Sequence, residues 1–198
     1  SKNIHGDSLP IGNELADELK VKFQIQGNFS LPQLSTILEN TRRHEFYSFL
    51  KERFNIGDFD QRYFTLTNIE LKSIYTTNID NLVFKIFENS KTKYLNDVSH
   101  KGTVVNDSTS IDYSALHGCI LNDDRKLIFD TSSLHNAYSN YPRIWNFLSQ
   151  SIEKYPTLFW GYSLSDSGVI QALTSNNTLQ NAQKDMWIIL REQEKETA

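Results

Sequence analysis

One cysteine, one methionine, four prolines and eight glycines among 198 residues rule out several classes of protein at once. With Cys119 alone, the chain forms no intrachain disulfide and builds no zinc site on several thiolates. A reducing, cytoplasmic setting is the expectation. Cys119 lies between Gly118 and Ile120 in an apolar stretch, where a lone thiol reads as small core filler. The scarcity of Pro and Gly, beside twelve Phe, nine Tyr and three Trp, argues for a packed core and against disorder. No apolar run reaches the roughly 18 residues of a membrane span, and Ser1 to His5 lacks the basic start and apolar stretch of a signal peptide. No membrane partner is therefore expected. A formal net charge of −4 gives no general attraction to nucleic acid, and Arg42, Arg43 and Lys51 read as a solvated helix face.

What is present is an alternation of helical and short apolar segments, the pattern of an α/β fold. Leu15, Leu19 and Phe23 form one helical stripe, Leu34, Ile37 and Leu38 a second, and Phe46, Phe49, Leu50 and Phe54 a third. The segment from about Leu31 to Asn68 reads as wholly helical. Ser73 to Thr77 reads as a strand running into a helix from about Asp80, with Leu82, Val83, Ile86 and Phe87 inward. Further strands are expected at Lys93 to Val98, Ile111 to Leu116 and Leu127 to Phe129, with a polar loop from His100 to Ser110. Asp130-Thr131-Ser132 resembles a helix cap. Tyr141-Pro142 opens a helix with Ile144, Phe147, Leu148 and Ile152 inward. Thr157 to Gly161 and Met186 to Leu190 read as buried strands, since continuous apolar runs suit parallel strands covered on both faces. The expectation is a Rossmann-like three-layer fold over 1–198, with a mostly parallel sheet, a helical insertion and no zinc module.

In open parallel sheets, ligands bind outside the carboxyl ends of the strands. Three expected strands end in polar residues suited to such a crevice: Thr76-Thr77-Asn78-Ile79-Asp80, Leu116-His117-Gly118 and Gly161-Tyr162-Ser163-Leu164-Ser165-Asp166. Thr77, Asn78 and Asp80 stand where a helix begins, so they serve either a polar ligand or the helix cap. His117 is open to two readings, a satisfied loop residue or a proton-transfer group. Gly118 beside it allows close backbone approach.

Thr76-Thr77-Asn78-Ile79-Asp80 resembles the sirtuin Thr-Gln-Asn-Ile-Asp motif, with Thr in place of Gln. Leu116-His117-Gly118 is similar to the sirtuin His-Gly motif and follows after about forty residues, in the family's order. Gly161-Tyr162-Ser163-Leu164-Ser165-Asp166 is closer to the bacterial sirtuin-like branch, where Gly-Tyr-Ser-Leu-x-Asp follows an apolar strand. Ser1, Gly6, Leu9-Pro10 and Asn13-Glu14-Leu15 resemble the stretch just after the family's Gly-Ala-Gly loop.

The resemblance implies an NAD-consuming domain with no metal. Asn78 would hold a water and face a developing oxocarbenium ion, and Asp80 would bind the nicotinamide carboxamide. His117 would accept a proton from a ribose hydroxyl or water. Ser1, Thr77, Gly118, Gly161, Ser163 and Asp166 would line the nucleotide, although Asp166 also suits a helix cap. The family's first strand and Gly-Ala-Gly loop would lie immediately before Ser1, so the chain is expected to be part of a longer protein. Deacylating sirtuins carry four cysteines in a small domain, and this chain has one. The resemblance thus implies a bacterial anti-phage NAD glycohydrolase, working as a homo-oligomer with a fused or associated sensor domain. The alternatives are an NAD-dependent protein deacylase and a catalytically silent nucleotide-binding or oligomerisation module.

Overall fold

The computed structural model describes residues 1–101, 103–105, 107–122, 126–129, 142–161, 167–174 and 185–189. It divides into two compact units, Ser1–Ser133 and Leu134–Ala198.

The first unit opens with a two-residue strand β1 (Lys2–Asn3) and helix α1 (Gly12–Phe23). Glu14 Oε2 accepts the Ile11 N–H at 2.9 Å, satisfying a donor at the entry of α1. Helices α2 (Leu31–Thr41) and α3 (Arg43–Arg53) follow. Pro32 sits in the first turn of α2, where its missing N–H costs nothing, and Gln33 Oε1 accepts the Ser30 N–H at 2.9 Å. Apart from half-buried Ile37, the three expected stripes meet in one core built on Leu15, Leu19, Phe23, Leu34, Leu38, Phe46, Leu50 and Phe54, with Phe49 packed against it. Leu19, Leu34 and Leu50 are each 0% exposed, and such burial stabilises the fold by about 1.5–3 kcal/mol per side chain. Arg42, Arg43 and Lys51 stand exposed, as a solvated face requires.

The span from Leu31 to Asn68 is not wholly helical. Strand β2 (Ile56–Asp58) interrupts it and pairs antiparallel with β1, and Gln61–Asn68 forms a 3-10 helix. The cause lies outside the span: Ile56 N–H donates to Asn81 Oδ1 at 2.7 Å, and Asn55 O accepts the Ile4 N–H at 3.0 Å. These bonds hold the backbone extended.

Strands β3 (Ser73–Thr76), β4 (Tyr94–Asp97) and β5 (Ser110–Ala115) form an all-parallel sheet in the order β3-β5-β4. Short helices α4 (Leu82–Phe87) and α5 (Val98–Lys101) follow β3 and β4, so the expected polar loop from His100 begins with the end of a helix. All six residues of β5 are buried, yet the strand alternates. Ile111, Tyr113 and Ala115 join Ile74 and Leu95 on an apolar face, against which α4, the 3-10 helix and the α1–α3 core pack. Asp112, on the opposite face, accepts from Asn96 Nδ2 at 2.8 Å and from Val105 N–H at 3.2 Å. A buried carboxylate is tolerable only when bonded in this way. Among the described residues the expected strand at Leu127 to Phe129 joins no ladder. Its backbone instead bonds the loops around it: Ile128 N–H donates to His117 O at 3.0 Å.

The second unit contains α6 (Pro142–Lys154), which buries Ile144, Trp145, Leu148, Ser149 and Ile152. Strands β6 (Thr157–Trp160) and β7 (Met186–Ile189) pair in parallel, and α7 (Ser167–Thr174) packs on α6. The two strands are not buried as their apolar runs predict: Leu158, Trp160 and Trp187 are 55%, 55% and 52% exposed. Each strand has one ladder neighbour among the described residues, and a two-stranded sheet shields little of its own surface. The expected cap at Asp130 to Ser132 lies outside the described residues.

Candidate active site

The carboxyl ends of β3 and β5 stand side by side, because Thr76 and Ala115 are register partners. Asn78 and His117 each lie two residues beyond that pair. The two chains stay laced together past the ladder. Leu116 N–H donates to Thr76 O at 2.8 Å, Ile120 N–H donates to Ile79 O at 2.9 Å, and Cys119 Sγ lies 3.6 Å from Asp80 O.

On the β3 side, Asn78 N–H donates to Thr76 Oγ1 at 3.0 Å, a local turn that ends the strand and leaves the Asn78 carboxamide exposed. Thr77 is half-buried beside it. Asp80 is buried, and its Oδ1 accepts the Leu82 N–H at 2.9 Å at the start of α4. Asp80 thus bonds the first N–H of α4 from the residue before the helix's N-cap, Asn81. Burial pushes the Asp80 carboxyl above the usual carboxylate range, against the opposing pull of the Leu82 N–H.

On the β5 side, Gly118 N–H donates to Ala115 O at 3.1 Å, closing a tight turn with His117 inside it. His117 is half-buried and its Nε2 is screened from solvent. Gly118 has φ +85°, a conformation that favours glycine, and a Cβ there would meet Leu127 Cδ2 and Lys126 O at 3.1 Å. Cys119 is 1% exposed, and burial pushes its thiol up to about 11, so it stays a protonated core residue, as its apolar neighbours suggested.

Several residues that shape this site carry no motif signal. Asn81 is buried; its Oδ1 accepts from Ile56 N–H, and its Nδ2 donates to Asn55 Oδ1 at 2.8 Å. Since Asn55 O also accepts from Ile4, the N-terminal loop is tied to the start of α4. Asn3, buried in that loop, accepts from the His5 and Asp7 N–H groups at 3.0 and 2.9 Å. At the end of β4, Asp97 bonds the Ser99 hydroxyl and accepts from Asn122 Nδ2 at 3.2 Å, gripping the chain that follows His117. An amide that bonds partners far along the chain resembles any other Asn in a sequence.

Of the expected site residues, Thr77, Asn78, Asp80, His117 and Gly118 come together at these two strand ends. Ser1 is exposed, with its carbonyl accepting from Leu9 N–H at 3.5 Å. Gly161 ends β6 in the second unit, with φ +61° and open space where a Cβ would stand. Ser163 and Asp166 lie outside the described residues.

The groups assembled are an exposed carboxamide, an imidazole and a buried carboxyl. That set offers hydrogen bonds and proton transfer to a neutral or cationic group. Among the described residues no cluster of three or more His, Cys, Asp or Glu is placed to hold a metal ion, and no helix is long and apolar enough to cross a membrane. The family model described as the SIR2-like domain matches residues 72–198, a span that takes in β3, β5 and both motifs. No curated protein matches the sequence.

Proposed function

The chain belongs to the SIR2-like domain family, and we propose on that footing that it cleaves the bond between nicotinamide and ribose in NAD, passing ADP-ribose to water. The observation that carries this reading is the placing of Asn78 and His117 two residues past one register pair, on chains that remain hydrogen-bonded to each other.

The chemistry follows from the groups. Rupture of the N-glycosidic bond leaves its electron pair on nicotinamide and positive charge on the ribose, an oxocarbenium-like state. The Asn78 carboxamide oxygen stabilises that charge and orients a water molecule. The water adds to the ribose carbon, and its proton passes to His117 and then to solvent. Asp80, buried two residues beyond Asn78, hydrogen-bonds the leaving carboxamide. The balance is NAD plus water giving nicotinamide, ADP-ribose and a proton. Hydrolysis with no acceptor but water drains NAD, which suits an effector of anti-phage abortive infection controlled by assembly and a sensor domain.

The test is nicotinamide and ADP-ribose release by the full-length protein, followed by chromatography with no acylated peptide present. Asn78→Ala is expected to abolish release while the melting temperature holds, because the side chain is exposed. Undiminished release by that variant would overturn the assignment. Turnover that appears only with an acetylated peptide would make the protein a deacylase instead.

A further inference from the structure

Helices α2 and α3 contribute none of the residues assigned to the reaction, yet they touch the turn that carries His117 through one short segment. Residues 126–129 lie directly beneath that turn. Ile128 N–H donates to His117 O at 3.0 Å, and the space where a Gly118 Cβ would stand is filled by Lys126 O and Leu127 Cδ2. Leu127 and Ile128 are 3% and 5% exposed, so the segment is packed on both sides.

Its other side rests on α2 and α3. The Lys126 ammonium pairs with Glu39 Oε2, and Leu127 N–H reaches the Tyr47 hydroxyl at 3.4 Å. The Tyr47 hydroxyl donates to Glu39 Oε1 at 2.9 Å, so the Glu39 carboxylate joins a residue of α3 to the segment. The Phe129 ring lies 6.1 Å from that of Phe46, and the Arg43 guanidinium sits over Tyr47 at 5.6 Å. Burial, with Glu39 adding to it, pushes the Tyr47 hydroxyl up to about 12, so it remains a donor throughout the working pH range.

We propose that Glu39 and Tyr47 are positioning residues for His117, fixing through Lys126 to Phe129 the turn that aims its imidazole. The catalytic part of this inference rests on the reading of His117 as the proton acceptor. A misplacement of about 1 Å costs up to 10²-fold in rate, so a group that only sets the turn still governs turnover.

The experiment uses the full-length protein with Glu39→Gln, which removes the carboxylate charge beside Lys126, and Tyr47→Phe, which removes both bonds of the hydroxyl, each nearly keeping side-chain volume. Steady-state kinetics are combined with NMR of the histidine rings, the His117 signals being assigned by their loss in His117→Gln. In both variants kcat is expected to fall about ten-fold with KM held within about two-fold. The His117 ring signals are expected to move, while those of His5, which pairs with exposed Glu52, stay in place. His117 signals that do not move in either variant overturn the inference. So does a uniform shift of His5 and His117 together, which would mean general loosening. If Tyr47→Phe fails to fold, Glu39→Gln decides alone. If the unaltered protein releases no nicotinamide, the proposed function fails, and the ring signals still decide whether Glu39 and Tyr47 position His117.

Discussion

Replacing Gly118 by alanine probes the backbone that carries His117. Gly118 has φ +85°, and an L-residue held in the left-handed region costs about 1–2 kcal/mol, partly offset by about 0.4–1 kcal/mol from restricting the unfolded chain. The methyl group also meets Lys126 O and Leu127 Cδ2, both at 3.1 Å, so residues 126–129 must yield by a few tenths of an ångström. Overpacking of this kind costs about 1–3 kcal/mol. The sum is about 1–4.5 kcal/mol, or a melting temperature lower by roughly 2–18 °C in a chain of this size. Gly6 supplies the control, with φ +86° and no atom within 4 Å of its would-be Cβ. Gly6→Ala bears the dihedral cost alone and is expected to lose about 1.5 kcal/mol or less. Thermal denaturation of the two variants side by side, followed by circular dichroism, reads the difference directly. Equal losses would mean that nothing packs against Gly118.

Two further outcomes follow from the polar core of the site. Asn81→Leu removes the acceptor of the buried Ile56 N–H and the donor to Asn55, and is expected to destabilise the first unit by about 2–4 kcal/mol in urea unfolding. A loss under about 0.5 kcal/mol would show that water replaces both bonds. Asp80 is held above its ordinary range by burial, so between its unfolded and folded pKa values the folded state binds more protons and stability falls as pH rises. Above both values the cost of the buried carboxylate is fully present. Asp80→Asn, which caps a helix equally well, is expected to melt higher than the unaltered protein at pH 7, with the gap closing below about pH 4. A gap that widens in acid would reverse the sign of this account.

Much of this structure is legible in the sequence because its signals are local. The stripes of α1, α2 and α3 and the strands before Asn78 and His117 sit where periodicity and β-branched runs place them. Strand β2 escapes notice because three residues make no alternation and its extended form is imposed by Asn81, twenty-five residues later. The run at Leu127 to Phe129 has the composition of a strand, but the Leu127 and Ile128 N–H groups bond to Tyr47 and His117. At β6 and β7 the error runs the other way: apolar composition predicts burial, and Leu158, Trp160 and Trp187 stand exposed. The pair Asn78 and His117 is readable as two strand ends, whereas the clamp of Glu39 and Tyr47 depends on which helices pack behind them.

Two kinds of joint hold the Asn78 and His117 chains in place, and they answer differently to the surrounding solution. The tie from the N-terminal loop to the start of α4 runs through the Asn55 and Asn81 amides and the backbone of Ile4 and Ile56, with no ionisable group in it. Neither pH nor ionic strength has a charge to act on there. The tie beneath His117 ends in the Lys126 and Glu39 pair, whose lysine is 54% exposed and open to screening. One half of the site is therefore anchored independently of the ionic medium, while the other registers it.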